Sequence, residues 1–154
     1  MNHTLQASAS RDAIQPWLHA LTCQDVVLRF MGFFDARAWE QMEQLVTPDV
    51  VWQRPDRIIS GLEQLRETLH ATPDNVRVRH IITNLRPTVT SATTLEIHSY
   101  FSVFRVIGVT PADTQEPVPF DGPVSVGRYR DTLVQTDGVW RLSSKETHVD
   151  FRRP

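Results

Sequence analysis

The sequence predicts a single α+β domain, with helices gathered on one side of a strongly curved, mostly antiparallel sheet. Three observations carry this reading. Apolar residues recur at helical spacing through the first half of the chain. After Pro73 the pattern changes to alternating runs rich in β-branched and aromatic residues. Helices followed by strands is the α+β order, and 154 residues, 40% of them hydrophobic, suffice for one core.

The elements follow in order. Residues 1–21 read as an N-terminal extension, partly helical, in which Pro16 is tolerated only near a helix start. Residues 22–154 read as the domain. Its first helix is expected to begin at Thr22, where "TCQD" places an acid three residues after a capping threonine. Val26, Val27, Phe30, Phe33 and Phe34 then form one apolar stripe. "ARAWEQMEQLV" reads as a second helix ended by "TPD", because Pro48 disfavours helix at Thr47. "DVVWQRP" reads as a strand, and "SGLEQLRETLH" as a third helix with Ser60 and Glu63 in a capping box.

Four stretches then alternate as strands do: "VRVRHIITNL", "PTVTSATTLEIHSYFSVFRVIG", "PVSVGRYRDTLVQT" and "VWRLSSKETHVDF". The second is long enough for two strands broken near "TSAT". "TDG" between the last two is a tight hairpin turn, with Gly138 supplying the positive φ. Residues 108–123 hold four of the ten prolines and read as a long irregular connection, either an exposed excursion or a lid.

Composition narrows the function. A net charge of −2 provides no long-range field for nucleic acid or an anionic membrane. Cys23 is the lone cysteine, which excludes an intrachain disulfide and a thiolate zinc site. The start "MNHTLQASASRDAIQPW" lacks a basic segment followed by an apolar run, and no apolar stretch approaches the ~20 residues of a membrane span. A cytoplasmic protein is expected.

The candidate site begins with "RVRHIITNLRP". Strand alternation puts Val76, Val78, His80 and Ile82 on one face and Arg77 and Arg79 on the other. An imidazole is thus aimed at the apolar side, either as a proton acceptor or as a core histidine satisfied by a neighbouring carboxylate. Asp131 shares strand parity with Tyr129 and Leu133, and either lines a pocket or pairs with a cross-strand arginine. Asn84 either donates to a substrate oxygen or serves as a strand-end turn residue. Trp52 is expected to wall the pocket mouth. Arg77, Arg79, Arg128, Arg130 and Arg141 fall on alternating strand positions, as an anion site or as a solvated outer face. His80, His98 and His148 show no tight ligand spacing, so no metal is expected.

Four signatures, in order, give a resemblance: "FFDARAWEQMEQLVTPDVVW", "SGLEQLRETL", "RHIITNLRP" and "GRYRDTLVQTDGVWRL". Together they resemble the SnoaL-like branch of the nuclear transport factor 2-like superfamily over residues 22–151. The resemblance implies a cone-shaped, cystatin-like α+β fold, and a homodimer through the outer sheet face. One group of that superfamily is similar to scytalone dehydratase and hexachlorocyclohexane dehydrochlorinase. By that likeness Asp35 orients His80, which removes a proton, and no cofactor is used. Thr83 and Asn84 complete the "H-x-x-T-N" signature. Lys145 stands where the dehydrochlorinase has an arginine, and Phe33 and Phe34 stand at the helix where scytalone dehydratase has tyrosines.

The expected activity is therefore an acid–base lyase or isomerase acting on a small hydrophobic, hydroxylated or cyclic ligand. His80 and Asp35 are the catalytic pair, with Asn84, Tyr129, Asp131, Lys145, Trp52 and Phe34 as substrate contacts. The "GRYRD" strand is also similar to small subunits of ring-hydroxylating dioxygenases. That likeness implies a non-catalytic role beside an oxygenase large subunit; the other non-catalytic alternative is a small-ligand-binding protein of the same fold.

Overall fold

The computed structural model describes residues 2–109 and 116–154, with side chains from residue 13 onward. The helices are α1 (Asn2–Ala36), α2 (Trp39–Glu43) and α3 (Gly61–His70). The strands are β1 (Val46–Gln53), β2 (Ile58–Ser60), β3 (Val76–Ser91), β4 (Thr94–Ile107), β5 (Ser125–Thr136) and β6 (Val139–Arg152). They form one curved, unclosed six-stranded sheet in the order β2-β1-β6-β5-β4-β3, with β1–β6 its parallel pair. The α+β expectation holds. Among the described residues no helix is long and apolar enough to cross a membrane.

The long helix α1 supplies the inner wall. Ala20, Cys23, Val26, Val27, Phe30 and Met31 recur every three or four residues and are all buried. They pack with Ile97, Leu133 and Leu142 from the sheet and Leu65 and Leu69 from α3 in one core. α1 also runs beside the edge strand β3. Gln24 Nε2 donates to the Leu85 carbonyl at 3.3 Å, so the helix covers backbone groups that an edge strand leaves unpaired.

Several local expectations are corrected. α1 does not start at Thr22; it passes through both Pro16 and Thr22. The Thr22 hydroxyl donates back to the Leu18 carbonyl at 2.8 Å instead of capping. Ser60 makes no side-chain cap, and its backbone N–H is taken by Gln64 Oε1 at 2.9 Å, one residue beyond the expected Glu63. Thr47 and Pro48 do not merely end a helix but lie within β1. The three-residue β2 is invisible to periodicity because it is too short to alternate.

The break near "TSAT" is the β3–β4 hairpin, and Asp137 (φ 53°) and Gly138 (φ 76°) turn the β5–β6 hairpin as a primed two-residue turn. Within the connection 108–123, residues 110–115 lie outside the described residues. Its far part returns through Phe120, whose ring meets Phe104 edge-on at 5.6 Å.

Gly127 on β5 has no room for a side chain. A Cβ there would lie 2.1 Å from the His148 carbonyl oxygen and 2.8 Å from the Phe101 ring. Gly127→Ala is expected to cost about 3 kcal/mol, the upper range of overpacking, measured by urea unfolding. A loss under about 0.5 kcal/mol would mean the sheet yields there without strain.

Cys23 is fully buried, and burial pushes its thiol from the ordinary 9.0 up to about 12. The unfolded chain therefore releases this proton first. Stability that is intact below pH 9 is expected to fall between pH 9 and 12, by up to about 1.4 kcal/mol per unit. Cys23→Ala should lack that slope in urea titrations across the same range.

Candidate functional site

The site starts where α1 stops. Arg37 takes a left-handed conformation (φ 58°), its N–H donates to the Phe34 carbonyl, and the Ala38 N–H donates to the Phe33 carbonyl. This is the paired closure of a Schellman motif, normally built on glycine. An arginine there costs roughly 1 kcal/mol of backbone preference. Its guanidinium offsets this by donating to the Thr72 and Pro73 carbonyls at 2.6 and 2.9 Å and to Asp74 Oδ1 at 2.9 Å. The helix end is thereby pinned to the α3–β3 connection, and Asp35 is held in the last turn.

From that turn the Asp35 carboxylate reaches β3 with both oxygens. Oδ2 accepts the His80 backbone N–H at 2.7 Å, and Oδ1 accepts the His80 ring Nδ1–H at 2.6 Å. The side chains of His80 and Asp35 are 9% and 12% exposed. A carboxylate accepts only, so this geometry assigns the ring proton to Nδ1 and leaves the Nε2 lone pair free. Nε2 has no partner among the described residues. Phe34 meets the imidazole edge-on, with centroids 5.4 Å apart and planes at 89°.

His80 lines a cavity of about 720 Å³ at the open end of the cone. Phe34, Trp52, Val78, Phe101, Val103 and Tyr129 supply much of its wall, and Thr147 and Ser125 add hydroxyls. The volume falls in the ~300–1,000 Å³ range typical of small-molecule sites. The Trp52 indole N–H donates to Thr147 Oγ1 at 3.0 Å, which fixes the ring against the wall. Burial pushes the Tyr129 phenol well above its ordinary range, so it remains an O–H donor.

Behind Tyr129 lies a buried ion pair. Lys145 and Asp131 are directly opposite on β6 and β5, with Nζ at 3.0 and 3.3 Å from the two carboxylate oxygens and both side chains inaccessible. Burial raises the Asp131 carboxyl and lowers the Lys145 ammonium, while each partner opposes the other's shift. Lys145 Nζ stands 3.5 Å from the Tyr129 ring centroid, and Phe101 stacks on that ring at 4.3 Å. The two contacts must occupy opposite faces, because atoms this close would collide on one. Tyr129 therefore sits between the ammonium and the Phe101 ring.

The expected site residues thus divide. Asp35, His80, Phe34, Trp52 and Tyr129 come together at the cavity. Asp131 and Lys145 do not line it, and Asp131 pairs with a lysine, not an arginine. Asn84 is exposed, with φ 54°, in the β-bulge that separates the Thr83 and Arg86 registers. Asparagine tolerates this conformation, so it acts as the turn-type residue. Arg128 and Arg130 are paired on the outer face with Asp150 and Glu146. Missed by sequence reasoning are Arg54, Arg105, Arg152 and Arg153, which also line the cavity. Arg152 carried no signal, because a bulge at Asp150 reverses its parity. Among the described residues no three His, Cys, Asp or Glu side chains group closely enough to hold a metal ion.

Residues 18–146 match the SnoaL-like domain family. The chain belongs to that family. No curated protein matches its sequence. Solved structures are similar in fold at low identity. A scytalone dehydratase candidate from Novosphingobium aromaticivorans has a TM-score of 0.74 at 18% identity, covering 88% of this chain and 87% of its own. Hexachlorocyclohexane dehydrochlorinase type 3 from Novosphingobium barchaimii has a TM-score of 0.71 at 16% identity, covering 92% and 93%. A candidate aromatic ring hydroxylase from Novosphingobium aromaticivorans has a TM-score of 0.71 at 18% identity, covering 86% and 89%.

The buried pair makes a stability prediction. Lys145→Met leaves a carboxylate alone in the core of this SnoaL-like domain and is expected to cost about 3–5 kcal/mol in urea unfolding. The double variant Asp131→Leu/Lys145→Met should recover most of that loss. Equal losses in the single and double variants would mean that packing, not the unpaired charge, dominates.

Proposed function

We infer that this SnoaL-like protein is an acid–base lyase or isomerase, dehydratase-like, acting on a small, largely apolar, hydroxylated or cyclic molecule. One observation carries the reading: Asp35 holds the His80 Nδ1–H at 2.6 Å in a ring that faces the cavity, with Nε2 unpartnered. The fold likeness to a dehydratase candidate and a dehydrochlorinase supports the same reaction class.

In this reading Nε2 takes a proton from a substrate C–H bond. The electron pair of that bond becomes the new C=C bond, and the hydroxyl on the adjacent carbon departs. The departing oxygen collects that proton from the imidazolium and leaves as water, which returns His80 to its starting form. For an isomerase the same proton returns to a different carbon. Asp35 keeps the tautomer correct and stabilises the imidazolium, an interaction that strengthens when water is excluded. Phe34, Trp52 and Val103 offer apolar surface for the body of the substrate.

A second reading, a non-catalytic subunit of an oxygenase, draws on the fold likeness to a ring hydroxylase candidate. A screen of hydroxylated ring compounds, followed by absorbance of the new conjugated double bond, separates the two. His80→Ala and Asp35→Asn are expected to lower turnover about 10²–10⁴-fold, the usual worth of general acid–base assistance. Equal turnover in wild type and His80→Ala would remove His80 from the mechanism.

A further inference from the structure

Arginines stand on both faces of the sheet. Two on the outer sheet face are neutralised in place: Arg128 by Asp150 at 3.0 Å and Arg130 by Glu146 at 2.5 Å. Those at the cavity mouth are not all neutralised. Arg54 contacts Asp56 at 3.4 Å and Arg153 contacts Asp121 at 3.5 Å. Arg105 and Arg152 also line the cavity but have no acidic partner among the described residues. Asp56 is the one acidic side chain among the lining residues, against four arginines, with the Pro154 carboxylate beside them. The mouth is therefore cationic in a protein whose net charge is −2.

Backbone register shows how these two side chains come to face inward. His80 is opposite Val103, Val103 opposite Ser125, and Ser125 opposite Arg152. One row of the inner face thus runs from the imidazole to a guanidinium across four strands. Arg105 is opposite Val78, the next inward position on each of the two strands toward the mouth. Arg152 belongs to this row only because of the bulge. Gly127 pairs with Val149, yet Val126 pairs with Phe151, so Asp150 is the extra residue. Without it, Phe151 would face the cavity and Arg152 would face out. Bulges of this kind re-aim side chains beside functional sites.

The two backbones at the ends of the row are separated by three strand spacings, roughly 14 Å along the curved sheet. The imidazole and the long arginine side chain close that span from either end. Both border the cavity of about 720 Å³, with Val103 on its wall between them.

We propose that Arg105 and Arg152 form an oxyanion subsite at the cavity mouth. The substrate would then be an apolar ring compound bearing a carboxylate or phosphate at the end remote from His80. This rests on the cavity being the substrate site. Guanidinium suits both groups, because its planar fork meets two oxygens at once and its charge is always present.

Three probes of one size test this: 1-naphthylacetate, 1-naphthyl phosphate and the neutral 1-naphthylacetamide. Binding is read by calorimetry in low salt, supported by the total tryptophan emission, with wild type and Arg105→Gln/Arg152→Gln. Both arginines are exposed, so the variant is expected to fold normally, and circular dichroism checks this. At least one anion should bind wild type about tenfold or more tighter than the amide, and the one preferred identifies the oxyanion. The preference should fall to about twofold or less in the double variant. Amide binding equal to both anions, or a preference that survives in the variant, would overturn the subsite and leave the cavity reading standing. Absence of binding by all three would overturn both.

Discussion

The architecture depends on a carboxylate meeting an unpaired strand edge. β3 is the last strand of the sheet, and the His80 N–H points away from β4, where no further strand exists to accept it. Asp35 accepts it. The same carboxylate then takes the ring Nδ1–H, so one side chain satisfies a backbone donor and orients a side chain on the same residue. A buried donor left unmatched would cost about 1–3 kcal/mol, which gives the contact a structural reason to exist before any chemistry is considered. The same contact decides which atom remains: once Nδ1 and the backbone N–H are used, Nε2 is left without a partner among the described residues.

The placement of charge follows from this arrangement. Two acid–base pairs sit inside the fold, but they differ in access. Asp131 and Lys145 are sealed behind Tyr129, whose ring lies between the ammonium and Phe101. Full burial makes each costly to leave alone, so the pair acts as a structural unit. Asp35 and His80 are nearly buried, but His80 borders open volume, so this pair differs from the sealed one in access. On the outer face Arg128 and Arg130 are paired with acids, whereas at the mouth Arg105 and Arg152 have no acidic partner among the described residues.

Membership in the SnoaL-like family accounts for the cone and for the helix that braces its edge. It does not by itself choose a reaction, because this architecture supports unrelated activities on similar backbones. Neighbours as different as a dehydrochlorinase and a ring hydroxylase candidate overlay this chain with TM-scores of 0.71 in both cases. What distinguishes one member from another is the lining: here a histidine, a phenol, three large aromatic walls and a cationic rim.

Much was legible in the sequence because periodicity reports burial directly. The α1 stripe, the two hairpin turns and the inward parity of Val76, Val78 and His80 depend on spacings of 3.6 and 2, and local sequence determines them. Motif resemblance carried Asp35 to His80. Local rules failed where tertiary contacts overrode them. Thr22 and Pro16 resemble a helix boundary, yet packing along β3 carries α1 through both. Arg37 occupies a glycine position because its guanidinium is held by carbonyls 35 and 36 residues away. Asn84 and Asp150 sit in bulges, each of which reverses the parity of everything after it; alternation read from sequence assumes there are none. The sequence alone therefore determined the class of fold, the paired acid and imidazole, and the apolar wall. Only the folded sheet decided that Lys145 is buried, that Asn84 faces solvent and that Arg152 faces the cavity, because those outcomes depend on strand register, which single-strand patterns do not contain.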